Sequence, residues 1–111
     1  MKVITITLLG LMLSLVANAQ SSSVCDIFGA VYEEKEAYRA DYRVYIEEDE
    51  YSADLIVFKE DNELMADKTG LWHFVKYRNF ATFTVSFVKD RGQANFTVYF
   101  TEIDAEARCN R

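Results

Sequence analysis

The chain has 111 residues, with 12 lysines and arginines against 18 aspartates and glutamates, one histidine, two cysteines and no proline, and its net charge at pH 7 is −6. That length suits one domain and is too short for two with separate cores. The acidic balance argues against nucleic-acid binding, which normally needs a basic face for the phosphates.

Residues 1–19 read as a secretory leader. Lys2 supplies the positive end, residues 3–16 are almost unbroken apolar sequence, and Ala17-Asn18-Ala19 is a small-residue cleavage site. The apolar run is shorter than the roughly 20 residues a spanning helix needs, so no membrane span is expected. Cys25 follows Ser21-Ser22-Ser23-Val24 and not the apolar run itself, which argues against a lipid-anchored form. The expected product is an exported protein, periplasmic or secreted, with 11 basic and 18 acidic side chains and a net charge of −7. Residues 20–24 form a short flexible N-terminus, residues 25–109 the domain, and residues 110–111 a C-terminal tail.

One short phrase recurs along the domain. Its copies are Ala40-Asp41-Tyr42-Arg43-Val44-Tyr45, Ala53-Asp54-Leu55-Ile56-Val57-Phe58, Ala81-Thr82-Phe83-Thr84-Val85-Ser86 and Ala94-Asn95-Phe96-Thr97-Val98-Tyr99. Ala66-Asp67 marks a degenerate copy, so the starts are Ala40, Ala53, Ala66, Ala81 and Ala94, a step of thirteen positions that stretches to fifteen once. Repetition at a near-fixed period makes each copy one supersecondary unit that buries its apolar face against the others.

Within the phrases the pattern predicts strands. Tyr42, Val44 and Ile46 alternate with Arg43, Tyr45 and Glu47; Phe83, Val85 and Phe87 with Thr82, Thr84 and Ser86; Phe96, Val98 and Phe100 with Asn95, Thr97 and Tyr99. Such alternation puts one face on a core and leaves the other wetter. Leu55-Ile56-Val57-Phe58 is apolar on both faces and is expected to be the most buried strand. Lys68-Thr69-Gly70 and Lys89-Asp90-Arg91-Gly92 mark turns, and residues 47–52 and 61–65 have room for no more than a helical turn. After each repeat alanine, Asp41, Asp54 and Asp67 are placed to accept from backbone N–H groups where the chain changes direction. The fold class is mainly β, a single small domain of short strands.

Cys25 and Cys109 bracket almost the whole domain, and export would permit a disulfide between them. Closing so long a loop is worth roughly 4–5 kcal/mol in the chain-entropy model. Two free thiols are the alternative.

Candidate chemistry is sparse. His73 is the lone histidine, and no Gly-x-Ser-x-Gly elbow is present. Glu47, Glu48, Asp49 and Glu50 form an acidic run suited to calcium or, less readily, to paired-carboxylate hydrolysis; the bland reading is a solvated loop. Asp61-Asn62-Glu63 lacks EF-hand spacing. Trp72, Tyr77 and Phe80 would make a sugar- or protein-binding platform if they faced outward, although aromatics in a short chain more often fill a core. Asn95-Phe96-Thr97 fits the glycosylation sequon inside a predicted strand, where modification is not expected.

Cys25-Asp26-Ile27-Phe28-Gly29 followed by Val31-Tyr32, the repeated Ala-Asp phrases, Gly70-Leu71-Trp72 with Phe74, residues 94–101 and the closing Cys109 together resemble the septoil knot family of exported bacterial proteins. The resemblance spans residues 25–109. It implies a mainly β chain wound through itself as a 7(1) torus knot, a topology that general experience of folds would not suggest. It brings no catalytic residues and no cofactor. The expected function is therefore a non-enzymatic exported module, kinetically stable and binding a protein or envelope component. A calcium- or glycan-binding module is the alternative, and a small hydrolase using Glu47 or a neighbour comes third.

Overall fold

A computed structural model describes residues 23–111; the leader expected over residues 1–19 lies outside them. Each repeat is a three-residue 3-10 turn, a capping residue and a strand. The turns Ala37–Arg39, Glu50–Ser52, Glu63–Met65, Arg78–Phe80, Arg91–Gln93 and Asp104–Glu106 end at Ala40, Ala53, Ala66, Ala81, Ala94 and Ala107. Each alanine donates its N–H back to the carbonyl three residues earlier, which stops the turn after one round. The first turn, Val24–Asp26, ends in the same way at Ile27. The repeat thus has seven copies among the described residues, two more than the alanine phrase reveals. Ile27 replaces the alanine in the first copy, and the strand of the last is too short to show alternation.

Seven strands follow: β1 (Gly29–Glu33), β2 (Tyr42–Ile46), β3 (Leu55–Lys59), β4 (Leu71–Phe74), β5 (Phe83–Phe87), β6 (Phe96–Thr101) and β7 (Arg108–Cys109). They form one sheet in the order β4-β1-β5-β2-β6-β3-β7, and a direct β3 to β4 pairing closes it into a ring. Pairing among β1 to β6 is parallel throughout. Only β7 runs the other way, with Leu55 opposite Cys109 and Ile56 opposite Arg108. β7 therefore covers the first half of one β3 edge, and β4 takes the second half at Phe58 and Lys59.

The register repeats as faithfully as the sequence. Gly29 faces Trp72, Tyr42 faces Val85 and Leu55 faces Val98, all at one common offset along the chain. Val31 faces Phe83 and Val44 faces Phe96, which share a second, longer offset. Inside the ring Val31, Val44, Leu55, Val57, Trp72, Phe83, Val85, Phe96 and Val98 make the core. Trp72 stands at its centre, with ring centroids 5.2 Å from Phe83, 6.2 Å from Phe74, 6.4 Å from Phe100 and 6.5 Å from Phe96. Its Nε1–H donates to the Ile27 carbonyl at 2.9 Å, so the one polar atom of the indole is satisfied.

Burial follows the expected faces only in part. Leu55, Ile56 and Val57 are fully buried, as their two-sided apolar pattern implies. Thr84 and Ser86, expected on the wetter face of β5, are buried too. For Thr84 the physical reason is a clasp between repeats. Asp41 N–H donates to Thr84 Oγ1 at 2.8 Å while Thr84 N–H donates to Asp41 Oδ2 at 3.0 Å. Asp54 and Thr97 repeat the exchange at 3.0 Å in both directions. Asp41 and Asp54 do accept from backbone donors, but from the neighbouring strand and not within their own turns, while Asp67 makes no such bond among the described residues.

Both ends of the domain are tied. Cys25 and Cys109 form a disulfide with 5.4 Å between alpha carbons. The expected tail is engaged: Asn110 N–H donates to Asp54 O, and Arg111 contacts the Asp54 carboxylate through Nε and a terminal nitrogen, each at 3.2 Å. Burial pushes the Asp54 carboxyl up, but the Arg111 guanidinium and the Thr97 donors outweigh it and hold it below its ordinary 3.8.

Gly70 is the tightest point of the ring closure. Its φ is +84°, and a Cβ there would lie 2.6 Å from the Ile56 carbonyl oxygen and 2.9 Å from Ala107 Cβ. Gly70→Ala is expected to cost about 2–3 kcal/mol. The check is the shift in urea midpoint; an unchanged midpoint would mean that the β4 and β7 seam can open without loss.

Candidate functional site

Side chains two apart on a strand share a face, so the last inward residue of each parallel strand follows from its core neighbours. Those residues are Glu33, Ile46, Lys59, Phe74, Phe87 and Phe100, one at the end of each of β1 to β5 and next to the end of β6. They recur at the step of the repeat itself, with the one longer interval falling between Lys59 and Phe74. Because the six strands run in one direction, these residues meet at one mouth of the ring. They line a cavity of about 620 Å³ together with Glu60, Asp61 and His73.

The strand order interleaves two kinds of side chain. Around the ring, β4-β1-β5-β2-β6-β3 reads Phe74, Glu33, Phe87, Ile46, Phe100, Lys59. The three phenylalanines alternate with one acid, one aliphatic residue and one base. Their ring centroids form a near-regular triangle of 6.5, 6.0 and 6.4 Å, with Phe74 and Phe100 packed on Trp72. Lys59 Nζ lies over this floor, 4.6 Å from the Phe100 centroid and 5.3 Å from that of Phe74. Both distances are within cation–π range.

The rim is acidic. Glu33, Glu60 and Asp61 have no ion-pair partner within 4.0 Å among the described residues, and Lys59 rests on the rings without reaching any of them. His73 Nδ1 lies 2.8 Å from the Glu60 carbonyl. A carbonyl only accepts, so this nitrogen carries a proton and donates. With Glu60 N–H bonded to Trp72 O at 2.7 Å, the bond fixes the rim to the floor. The site offers aromatic faces to a cation or an apolar group and carboxylates to a positive charge.

The residues singled out from sequence are distributed differently. Trp72 is 0% exposed and is the core hub, so it cannot stack on a sugar or partner at the surface. Tyr77 and Phe80 are exposed, 64% and 63%, and pack edge-to-face at 6.2 Å beside the turn Arg78–Phe80. The acidic run is divided. Glu47 is buried and meets Arg91 at 2.7 Å; Glu50 meets Arg108 at 3.1 Å; Asp49 accepts from the Ser52 hydroxyl; Glu48 is exposed. No three His, Cys, Asp or Glu side chains gather at metal-binding distance among the described residues. Glu34, like Glu47, is buried, and Arg78 pairs with it. Their residue type and their place after a strand suggest solvated connections for both. The turn 44 residues on supplies an arginine above each, which makes their burial tolerable.

Sequence reasoning does not find the mouth, although its signal is present in the same recurring step. Reading strand ends as one register position aligns Phe74, Phe87 and Phe100.

The fold and mouth define a class: a mainly β module whose parallel strands close a ring while each successive strand advances two places along the sheet order, except β4, which pairs directly with β3. The chain thereby passes nearly twice round the ring in seven strands. A family model described as the 7(1) septoil knot domain matches residues 24–110, and the chain belongs to that family. No curated protein and no solved structure matches the chain.

Glu47 tests whether the buried acids serve structure. Among the described residues its Oε2 is buried without a hydrogen-bond partner and its only ion-pair partner is Arg91. Arg91→Ala is expected to cost about 1–2 kcal/mol, below the usual figure for a buried pair because the guanidinium is exposed and water can replace part of it. Urea titration of Arg91→Ala, Glu47→Gln and the double variant checks this. Strictly additive losses would mean that the pair is not coupled.

Proposed function

We propose that this protein is a non-enzymatic exported module, kinetically resistant to unfolding, that binds a protein or envelope component through the mouth of its ring. The observation that carries the reading is the open aromatic floor of Phe74, Phe87 and Phe100 beneath an acidic rim. Aromatic side chains in a concave site supply contact area at small entropic cost, the usual basis of a recognition pocket. Export is supported by the leader-like residues 1–19 and by the disulfide.

Kinetic stability is the natural use of such winding. Every strand pairing except β3 to β4 joins strands three or four places apart in the chain, so the chain folds slowly. A knotted chain must also unthread to escape, which slows unfolding. The disulfide, formed after threading, keeps the wound path closed in the denatured chain. Refolding after prolonged denaturation is therefore expected to be much faster for oxidised than for reduced protein. Equal rates, followed by tryptophan fluorescence of Trp72, would sink the locking role.

The binding reading is tested by placing the photo-crosslinker p-benzoylphenylalanine at Ile46, on the exposed rim, and irradiating oxidised protein with the envelope and medium fractions of the source cell. A defined partner, crosslinked at Ile46 and not from a control site at Glu48, is the expected outcome. Equal capture from both positions would remove the mouth from the account.

A further inference from the structure

The mouth already contains a cation. Lys59 Nζ stands 4.6 Å from the Phe100 centroid and 5.3 Å from that of Phe74, with its ammonium on the rings and not in an ion pair. Glu33, Glu60 and Asp61 line the same cavity and have no ion-pair partner among the described residues, so three carboxylates face one ammonium. Ring quadrupoles and carboxylates attract charge of the same sign. Lys59 is itself exposed, on the end of β3, and its long stem can swing away without disturbing the core. The site therefore combines uncompensated negative charge, an aromatic surface that holds an ammonium, and an occupant that is free to leave.

We infer that the mouth is a receptor for a cationic side chain, lysine or arginine, presented on a basic segment of a protein partner, and that Lys59 is a built-in occupant which the incoming cation displaces. This deepens the binding reading above and rests on it. The phenylalanines take the incoming charge on their faces, while Glu33, Glu60 and Asp61 neutralise its neighbours along the segment. The chain's overall charge of −6 steers the same kind of partner. Because Lys59 competes for the floor, it weakens binding and sharpens selection for segments with more than one positive charge.

The test uses oxidised protein and three glycine-spaced hexapeptides carrying three lysines, three arginines or three leucines. Aromatic proton–carbon NMR spectra report on Phe74, Phe87 and Phe100. The lysine and arginine peptides are expected to give saturable shifts concentrated on these rings, and the leucine peptide none. Lys59→Ala is expected to tighten the dissociation constant about tenfold by removing the competitor, and Glu60→Gln with Asp61→Asn to weaken it about tenfold. All three positions lie at the mouth, and backbone amide spectra of the free variants unchanged away from it confirm their fold. Equal binding of the leucine peptide, an unchanged constant in Lys59→Ala, or shifts spread over the whole acidic surface would each overturn the inference. Capture at Ile46 of a partner without an exposed basic segment leaves the binding module standing and overturns the cation receptor. Peptide binding at the rings with no partner captured upholds the receptor and removes the proposed module.

Discussion

Parallel pairing between strands three and four places apart in the chain is the constraint on which this molecule depends. Apart from β3, which pairs with β4 over two residues, a strand here cannot satisfy its backbone on the next one, because the next one is placed elsewhere in the ring. Each edge must find a distant strand. Parallel neighbours always need a long connection, and the connection used is the rest of the sheet. The constraint also explains why the closure is irregular. A seventh strand has no eighth to follow it, so β7 reverses and takes half an edge of β3, leaving the other half to β4. The lengthened interval after Ala66, the positive φ of Gly70 and the disulfide all fall near this seam. A ring of equal units accommodates chain ends only by distorting where they meet.

Period-two alternation makes β2, β5 and β6 visible in the sequence, and the unbroken run from Leu55 marks β3. The repeat alanines locate the turn ends. Less is visible of β1 and β7. Gly29 and Ala30 carry little strand signal, and β7 has only two residues, so neither shows a pattern of its own. Which strands pair is invisible from local chemistry, since propensity acts over a few residues and these partners lie several elements apart. The family resemblance supplies that topology. Surface assignment fails where it treats strands as two-sided. In a closed ring wrapped by its own turns, Thr84, Ser86, Glu34 and Glu47 are covered although their residue types suggest water.

Polar burial of this kind is tolerated because the same contact is made at each station. Asp41 with Thr84 and Asp54 with Thr97 are one clasp used twice, and Glu34 with Arg78 and Glu47 with Arg91 are one ion pair used twice. The clasps span 43 positions and the ion pairs 44, close to the offset that sets Gly29 against Trp72. A register slip of one residue would turn every inward side chain outward, and it would also strand these acceptors without donors. Apolar burial gives the ring its cohesion, while the repeated polar contacts make one alignment preferable to its neighbours.

The third repetition breaks the ion-pair series. At the position that corresponds to Arg78 and Arg91, the turn facing Glu60 carries Asp104. Among the described residues Glu60 therefore pairs with no guanidinium, and its carboxylate joins the mouth with Asp61, while its backbone carbonyl is used by His73. A perfect repeat would have locked all three acids into the scaffold. The departure converts one structural position into rim charge beside the aromatic floor, and Lys59, next in sequence, prefers the rings to that charge. Repetition builds the ring, and its one broken ion-pair series leaves negative charge available for a ligand at the point where Phe74, Phe87 and Phe100 converge.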